Sequence, residues 1–217
     1  MKSFVVIGMG RFGSALAIEL TSLGHEVLAV DENEEAITRV ADHVTHAVIG
    51  DAKDENVIRS IGVRNFDCAV VAIAGDIQDS VLVTLMLKDL GVKKVIAKAQ
   101  SLMHQRVLER IGADQVVFPE LDMGQRVAQT LAGTNIIDFI ELSDDYSIIE
   151  LSCPKKWVNK TMRELNIRSE FGINVIAVRG SNGKDVTVSP PANYKMAESD
   201  VLIVIGGNDE LEELREL

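Results

Sequence analysis

The sequence predicts an α/β protein in which a doubly wound, parallel, Rossmann-like sheet is followed by a second, smaller α+β domain. Two observations predict it. Short, β-branched apolar runs alternate with longer helical segments up to Pro119, and after that point strands follow one another with few helices between them. Continuously apolar strands are buried on both faces, as parallel strands covered by helices are. Strands joined by short turns favour a mainly antiparallel arrangement instead.

The first half of the chain contains strand-like runs separated by helical segments. The strand-like runs, in order, are SFVVI, EVLAV, THAVIG, DCAVVAIA, KKVIAKA and QVVF. Helices between them are predicted at residues 11–23, 34–42, 55–61, 80–90 and 104–111. A strand–helix series of this kind builds an open sheet of about six strands with helices on both faces.

The second half begins with one more helix, predicted at residues 122–131. The strands predicted after it are IIDFIEL, YSIIELS, GINVIAV, KDVTVS and DVLIVIG. A short helix at residues 161–165 and a charged tail at residues 209–217 accompany them, and Ser181-Asn182-Gly183 has the composition of a hairpin turn. We therefore expect a first domain at residues 1–134, which includes a crossover helix, and a second domain at residues 135–217.

The charge of the chain excludes some classes of partner. Its 217 residues include 33 acidic and 22 basic side chains, a formal net charge of −11. A field of this sign repels phosphate backbones and anionic headgroups, so we expect no nucleic-acid binding and no direct membrane insertion. No apolar run approaches the roughly 18 residues that cross a bilayer, and the first strand starts too early to leave room for a signal peptide. We expect a cytoplasmic protein.

A glycine motif follows the first predicted strand. Gly8-Met9-Gly10-Arg11-Phe12-Gly13 has the G-x-G-x-x-G spacing of dinucleotide folds, and Asp31 ends the second strand 18 residues after Gly13. Gly8 allows the tight turn, Gly10 lets a phosphate approach the backbone N–H groups of the helix, and Gly13 allows close packing of helix on strand. Asp31 is then placed to accept both ribose hydroxyls.

Arg11 bears on which nucleotide binds. It stands at the first turn of a helix whose positive end already favours an anion. A pyrophosphate needs no additional cation, whereas a free terminal phosphate, or one reaching across from a neighbouring subunit, benefits from a guanidinium. The motif therefore favours ATP or ADP, while NAD(H) stays an alternative because Asp31 accepts either ribose.

Further candidates stand where the other predicted strands end, because ligands of open parallel sheets bind at the carboxyl ends of the strands. An acid and a turn that could read the adenine amino group follow the third strand, and small residues follow the fourth. A lysine ends the fifth strand and a glutamate follows the sixth. These residues are Asp51 and Ala52, Ile73 and Ala74, Lys98, and Glu120.

Several segments resemble one known family. GMGRFG with VLAVDEN, THAVIGDA, RNFDCAVVAI, IQDSVLVTLMLKDLG, KAQ, LERIGAD and PELDMGQRVAQ are similar to segments of the cytosolic RCK-domain regulatory subunits of Trk/Ktr-type bacterial potassium-uptake systems. The likeness is closest to the Ktr A/C kind and covers the whole chain. It implies an N-terminal and a C-terminal RCK domain (regulator of potassium conductance).

The resemblance implies a regulatory subunit without catalytic residues of its own. Family members form homodimers, assemble into an octameric gating ring and dock on the inner face of a membrane potassium channel subunit, with ATP favouring the conducting state over ADP. Such a subunit is peripheral to the cell membrane through its partner.

Carried over by position, the resemblance and the motif give the expected nucleotide site. Arg11 meets the terminal phosphate across the dimer, and Glu120 matches an interface acid implicated in binding a divalent cation, Mg²⁺ or Ca²⁺. The family often has glycine where Ala74 stands, whereas here the glycine is Gly75. The expected site residues are Gly8, Gly10, Arg11, Phe12, Gly13, Asp31, Asn33, Asp51, Ala52, Ile73, Ala74, Lys98 and Glu120.

The second domain resembles the part of the family that binds cyclic di-AMP between two subunits. The matching segments are Asn166-Ile167-Arg168 and Gly172-Ile173-Asn174-Val175, together with Pro190. The resemblance implies that Arg168 pairs with a phosphate and that Asn174 bonds the ligand.

Two other functions fit the glycine motif. One is an NAD(H)-sensing regulator of the related Trk kind, and the other is a small NAD-dependent oxidoreductase. The second needs a proton-transfer residue near the nicotinamide, but Tyr146 and Tyr194 lie in the second domain and lack a Tyr-x-x-x-Lys arrangement.

Overall fold

The computed structural model describes residues 1–132, 136–180 and 185–214. The chain divides into two units, Met1–Glu120 and Leu121–Leu217. The predicted boundary at residue 134 lies outside the described residues, and the observed division comes earlier, within the helix that precedes it. The assignment of that crossover helix to the first domain stays a prediction.

The first unit alternates strands and helices as predicted. Its elements are β1 (Ser3–Ile7), α1 (Arg11–Ser22), β2 (Glu26–Asp31), α2 (Glu34–Val40), β3 (His46–Ile49), α3 (Glu55–Ser60), β4 (Cys68–Val71), α4 (Ile77–Asp89), β5 (Val95–Lys98), α5 (Leu102–Arg110) and β6 (Gln115–Val117), and α6 (Pro119–Ala132) follows across the division. The six strands form one parallel sheet in the order β3-β2-β1-β4-β5-β6.

Apolar residues on both faces of the sheet explain why it is doubly wound. Val5 and Ile7 of β1 pack in one core with Leu87 of α4, whereas Val6 packs in another with Ala17 of α1. Because successive strand residues point to opposite faces, each face needs its own layer of helices. The predicted Rossmann-like sheet is confirmed.

Side chains cap the starts of most helices in this unit. Asp76 accepts a hydrogen bond from the N–H of Gln78 and starts α4 at Ile77, three residues before the predicted start at Ser80, because an aspartate N-cap fixes where a helix begins. Asn33 caps α2 in the same way. The exception is α1, whose N-cap is Gly10, without a side-chain cap.

The second unit is built on an antiparallel sheet. Its elements are β7 (Ile136–Glu141), β8 (Tyr146–Ser152), α7 (Met162–Leu165), α8 (Ile167–Phe171), β9 (Asn174–Arg179), β10 (Val186–Val188), β11 (Val201–Gly207) and α9 (Asn208–Glu213). The sheet order is β10-β9-β11-β8-β7. This confirms the smaller α+β domain, while the predicted turn Ser181-Asn182-Gly183 lies outside the described residues.

The core of the second unit lies on one face of its sheet. Buried residues of β8 and β11, such as Leu151 and Leu202, pack with Trp157 and with Leu211 of α9. The single-turn helix α8 was not predicted. It ends at Phe171, and its C-cap Gly172 has a positive φ of 69°. Among the described helices, none combines the length and the hydropathy that crossing a bilayer requires.

Candidate functional site

A cavity of about 450 Å³ opens at the carboxyl edge of the parallel sheet. The sheet order reverses between β1 and β4, and open α/β sheets bind their ligands at such a point. Every lining residue comes from the ends of β1 to β4 or from the first turn of α4. They are Ile7, Gly8, Gly10, Asp31, Glu32, Gly50, Asp51, Ala52, Lys53, Ala72, Ile73, Ala74, Gly75, Asp76 and Asp79.

The glycine loop forms one wall of this cavity, and each glycine has its own constraint. Gly8 has a φ of +97°, and a Cβ there would lie 2.9 Å from the carbonyl carbon of Ala72. A Cβ on Gly13 would lie 1.9 Å from the carbonyl oxygen of Gly8, so the helix can approach the strand only with glycine there. A Cβ on Gly10 would meet nothing within 4 Å, which leaves its space to a ligand.

The amino end of α1 is suited to an anion. Its N-cap Gly10 provides no side-chain acceptor and its first turn contains no acidic residue. The first N–H groups of a helix lack partners within the helix, and the helix dipole favours negative charge at that end. A phosphate at Gly10 therefore has donors that no carboxylate of this helix competes for.

Asp31 links the second strand to the glycine loop. Its Oδ2 accepts a hydrogen bond of 2.5 Å from the N–H of Met9, and its Oδ1 accepts one of 2.8 Å from the N–H of Asn33. The two bonds fix the carboxylate at the cavity wall. Since a carboxylate has about four acceptor positions, capacity is left for ribose hydroxyls.

The predicted residues after β2 and β3 differ in their placement. Asp51 and the buried Ala52 line the cavity, and Asp51 Oδ1 accepts a hydrogen bond from the N–H of Lys53. Asn33 is not among the lining residues, and its side chain accepts a hydrogen bond from the N–H of Ala36 at the start of α2.

The residues directly after β4 line the cavity. Ile73 and Ala74 both do so, and so does Gly75. A Cβ on Gly75 would meet nothing within 4 Å. The turn therefore stays open to a ligand although Ala74 stands where related sequences often have glycine.

Four other predicted residues form a separate group beside the cavity. Lys98 is buried, with 6% of its surface exposed. Its ammonium group donates a hydrogen bond of 2.6 Å to Glu120 and lies 5.8 Å from the ring centroid of Phe12. The hydrogen bond from Lys98 lowers the pKa of Glu120 below its usual value, and the charge of Arg11 adds to the effect. Arg11, Phe12, Lys98 and Glu120 thus form one charged cluster at the start of α1, next to the ends of β5 and β6.

One lysine of the cavity was not predicted from the sequence. Lys53 Nζ lies within 4 Å of the carboxylates of Glu32, Asp51 and Asp79. The sequence did not predict this group, because the three carboxylates lie far apart in the sequence and meet only at the edge of the sheet. The local signal that could have indicated it is an acidic residue close to the end of each strand.

The predicted residues of the second unit share one end of its sheet. Arg168 lies in α8 and is exposed, while Asn174 and Val175 begin β9. The edge strand β10 runs antiparallel to β9, and the N–H of Ser189 donates to the carbonyl of Ile176, which brings Pro190 to the same end.

Among the described residues of one chain, Glu120 is not part of a complete metal site. In the described ranges, no three His, Cys, Asp or Glu side chains come together in a way that could hold a metal ion. Glu120 instead pairs with Lys98, and its side chain is 60% exposed.

Comparison with known proteins identifies two matching domain families and several relatives by sequence. The TrkA-N domain family matches residues 4–119 and the TrkA-C domain family matches residues 147–217. The chain is 44% identical to Ktr system potassium uptake protein A of Bacillus subtilis (strain 168), over 94% of this chain and 91% of that protein. It is also 44% identical to Ktr system potassium uptake protein C of the same organism, over 94% and 92%.

Solved structures show the same fold. The GsuK RCK domain matches with a TM-score of 0.71 and 22% identity, over 100% of this chain and 47% of that one. The GsuK channel bound to NAD matches with a TM-score of 0.70 and 21% identity, over 100% and 39%. The chain therefore spans less than half of each of these longer chains, and at this identity the likeness shows the fold alone.

Proposed function

The chain belongs to the TrkA-N/TrkA-C family of RCK regulatory subunits, and we propose that it is the nucleotide-sensing regulatory subunit of a potassium-uptake system. Two relatives at 44% identity are named Ktr system potassium uptake proteins, and they are covered over nearly their whole length. The proposed ligands are ATP and ADP, bound at the carboxyl edge of the parallel sheet.

The observation that carries the choice of ligand is the extent of the cavity. A dinucleotide lies across both halves of such a sheet, one nucleotide on each side of the point where the strand order reverses. Here the lining comes from the ends of β1 to β4 and the first turn of α4. Beside it, the ends of β5 and β6 hold the Lys98–Glu120 pair against Phe12. The lining thus crosses the reversal point only as far as β4 and does not reach β5 and β6, which favours a mononucleotide. NAD(H) is the alternative.

The proposed site assigns a role to each part of the cavity. Gly8 and Gly10 admit the phosphates to the amino end of α1, Asp31 accepts the ribose hydroxyls, and Asp51 with Ala52 faces the adenine. Arg11 is exposed at the first turn of α1, where it is free to meet a terminal phosphate that ADP lacks. A divalent cation bound by Glu120 at the interface of two subunits would add positive charge at the phosphate end of the site.

Exchange of ADP for ATP would change the conformation of the ring only if the two nucleotides differ in their relative affinity for its two states. A ligand shifts a conformational equilibrium only as far as it binds one state better than the other. ATP and ADP differ at the phosphate end, where Arg11 and the Lys98–Glu120 pair lie. We infer that this cluster distinguishes the two nucleotides and that ATP favours the conducting state.

Two exposed apolar surfaces support assembly into a ring. On α6, Met123, Val127 and Leu131 are exposed at a spacing of four residues, which places them on one side of the helix. On α4 and α5, Leu82, Leu85, Leu102 and Met103 are also exposed. A ring of dimers needs two different interfaces per subunit. We propose a homodimer that assembles into an octamer.

The proposed partner is an integral-membrane potassium channel subunit. Cytoplasmic loops of membrane proteins are enriched in Lys and Arg, and a chain with a net charge of −11 presents a complementary field to them. The proposed location is the cytoplasmic face of the membrane, held there by the partner.

A second ligand is supported by the arrangement in the second unit. Arg168, Asn174, Val175 and Pro190 come from separate segments but lie at one end of the antiparallel sheet. We propose that cyclic di-AMP binds there between two subunits. Replacing Arg168 and Asn174 by alanine should weaken cyclic di-AMP binding and leave ATP binding unchanged, and equal loss of both would contradict separate sites.

The nucleotide that copurifies with the protein tests the proposed function. It is released by denaturing the protein in cold methanol at neutral pH, which preserves NADH, and is identified by chromatography; the expected result is ATP or ADP. Recovery of NAD(H) without adenine mononucleotides would contradict the assignment. Light scattering on the same preparation should give an octamer, and a strict monomer at micromolar concentration would contradict a ring.

A further inference from the structure

The ribose side of the cavity holds a lysine that no ligand role assigned above uses. Lys53 Nζ lies 3.0 Å from Asp79 Oδ2, 3.5 Å from Glu32 Oε2 and 3.6 Å from Asp51 Oδ1. The three carboxylates belong to three different segments, after β2, after β3 and in the first turn of α4. The lysine therefore joins the loops that follow β2 and β3 to the start of α4.

A cation at this place would ordinarily decide which ribose is accepted. Nucleotide folds that take a ribose 2′-phosphate provide a basic side chain next to the acidic end of the second strand. Glu32 follows Asp31 directly, and Lys53 lies within ion-pair distance of Glu32. From its position, Lys53 is the residue that would bind such a phosphate.

Its surroundings prevent this. Lys53 is surrounded by more negative charge than its own, and the hydrogen bond to Asp79 is the main cause that raises its pKa above the usual value. The cavity is lined by Asp31, Glu32, Asp51, Asp76 and Asp79 against the single ammonium group of Lys53. A phosphate arriving here would lose its hydration, meet several carboxylates and displace one of them from the lysine.

We propose that Glu32, Asp51 and Asp79, by neutralising Lys53, make the site selective for adenine nucleotides with free ribose hydroxyls and exclude those that carry a ribose phosphate. This inference rests on the proposed nucleotide function and deepens it. Lys53 affects specificity because the carboxylates paired with it keep its ammonium group from binding a ribose phosphate. It does not contact the phosphates at α1.

The test compares two ligands that differ only in the ribose phosphate. Full-length protein is titrated calorimetrically with ADP and with ADP that carries an additional 2′-phosphate. The wild type should bind the 2′-phosphorylated nucleotide about tenfold or more weakly than ADP. Equal affinities would overturn the inference and leave the proposed function standing, whereas binding of neither nucleotide would overturn both.

Two variants assign the selectivity to Lys53. Glu32→Gln with Asp79→Asn removes two of its partners, and the ratio of the two affinities should fall to about threefold or less. Adding Lys53→Met to this variant should restore the wild-type ratio, because no cation is left for the phosphate. A ratio that stays low without Lys53 would show that the carboxylates act alone and would overturn the role of the lysine.

A control variant accounts for general effects of removing an ion pair. Glu55→Gln removes the exposed i,i+4 partner of Arg59 on α3, outside the lining of the cavity. Its affinity ratio should equal that of the wild type. A change of similar size in this control would overturn the assignment to the Lys53 cluster.

Discussion

The backbone N–H of Met9 donates a hydrogen bond of 2.5 Å to the carboxylate of Asp31. The bond joins the glycine loop after β1 to the end of β2, so the acid expected to hold the ribose also holds the loop expected to hold the phosphates. The ribose and the phosphates of a bound nucleotide would then both depend on one side chain.

Replacing Asp31 by asparagine should therefore affect both stability and binding. The amide keeps one acceptor oxygen but loses the charge, so the free energy of unfolding should fall by about 1–2 kcal/mol. The affinity for ADP should fall about tenfold. Urea unfolding and calorimetric titration measure the two effects, and Asp54→Asn, at the N-cap of α3, is the matched control that should change neither. Unchanged ADP affinity in Asp31→Asn would contradict a ribose contact.

The second and third glycines of the motif should respond differently to alanine. Gly13→Ala places a Cβ 1.9 Å from the carbonyl oxygen of Gly8 and should cost about 3 kcal/mol of stability. Gly10→Ala meets no protein atom within 4 Å and should cost less than about 1 kcal/mol, but its methyl group takes the space of a phosphate and should lower ADP affinity about tenfold. Thermal unfolding with and without ADP separates these effects. A Gly10→Ala protein that binds ADP normally would show that no phosphate lies there.

Arg11 should matter more for ATP than for ADP. An exposed guanidinium that meets only the terminal phosphate contributes about 1 kcal/mol, so Arg11→Ala should weaken ATP about fivefold and change ADP by less than about twofold. Arg39→Ala, which removes an exposed arginine in the last turn of α2, is the matched control. Titration of both variants with both nucleotides decides the question, and equal loss of ATP and ADP would place Arg11 elsewhere in the site.

The Lys98–Glu120 pair should give stability that depends on pH. Lys98 lowers the pKa of Glu120 in the folded state, so the contribution is fully present above the ordinary glutamate pKa of about 4.3 and is lost as the pH falls through the lower folded-state value. Because Glu120 is largely exposed, Glu120→Gln should cost only about 1 kcal/mol at neutral pH.

The difference between wild type and Glu120→Gln in urea unfolding should shrink toward zero as the pH is lowered from 7 to about 3. Glu141→Gln, at an exposed position of β7, serves as the control and should show no such trend. A difference that stays constant over this range would mean that the charge of Glu120 does not stabilise the folded state.

Much of the first unit could be predicted because its signals are local. The glycine motif lies between a strand and a helix that follow directly in the sequence, and the spacing to Asp31 reflects a single βαβ unit. The strand order then brings Gly8, Asp51 and Ile73 together, since all carboxyl ends of a parallel sheet lie on one edge. Seven predicted residues line the cavity for this reason, namely Gly8, Gly10, Asp31, Asp51, Ala52, Ile73 and Ala74.

What could not be predicted depends on contacts between distant segments. The role of Lys53 requires Glu32, Asp51 and Asp79 to converge on one ammonium group, and no spacing within the sequence specifies that convergence. Asn33 caps α2 instead of lining the cavity, because its side chain accepts a hydrogen bond from the backbone N–H of Ala36 in the first turn of that helix. The approach of Lys98 to the ring of Phe12 likewise joins β5 to α1, two segments that lie far apart in the sequence.

A calorimetric titration of one nucleotide-free preparation with ATP, ADP and NADH compares the three candidate ligands at the same site. We expect ATP and ADP to bind at about micromolar concentration and NADH to bind about tenfold more weakly, because the lining of the cavity extends no further than β4 and the Lys98–Glu120 pair lies at the ends of β5 and β6. Tight binding of NADH with no heat from ATP or ADP would contradict the account.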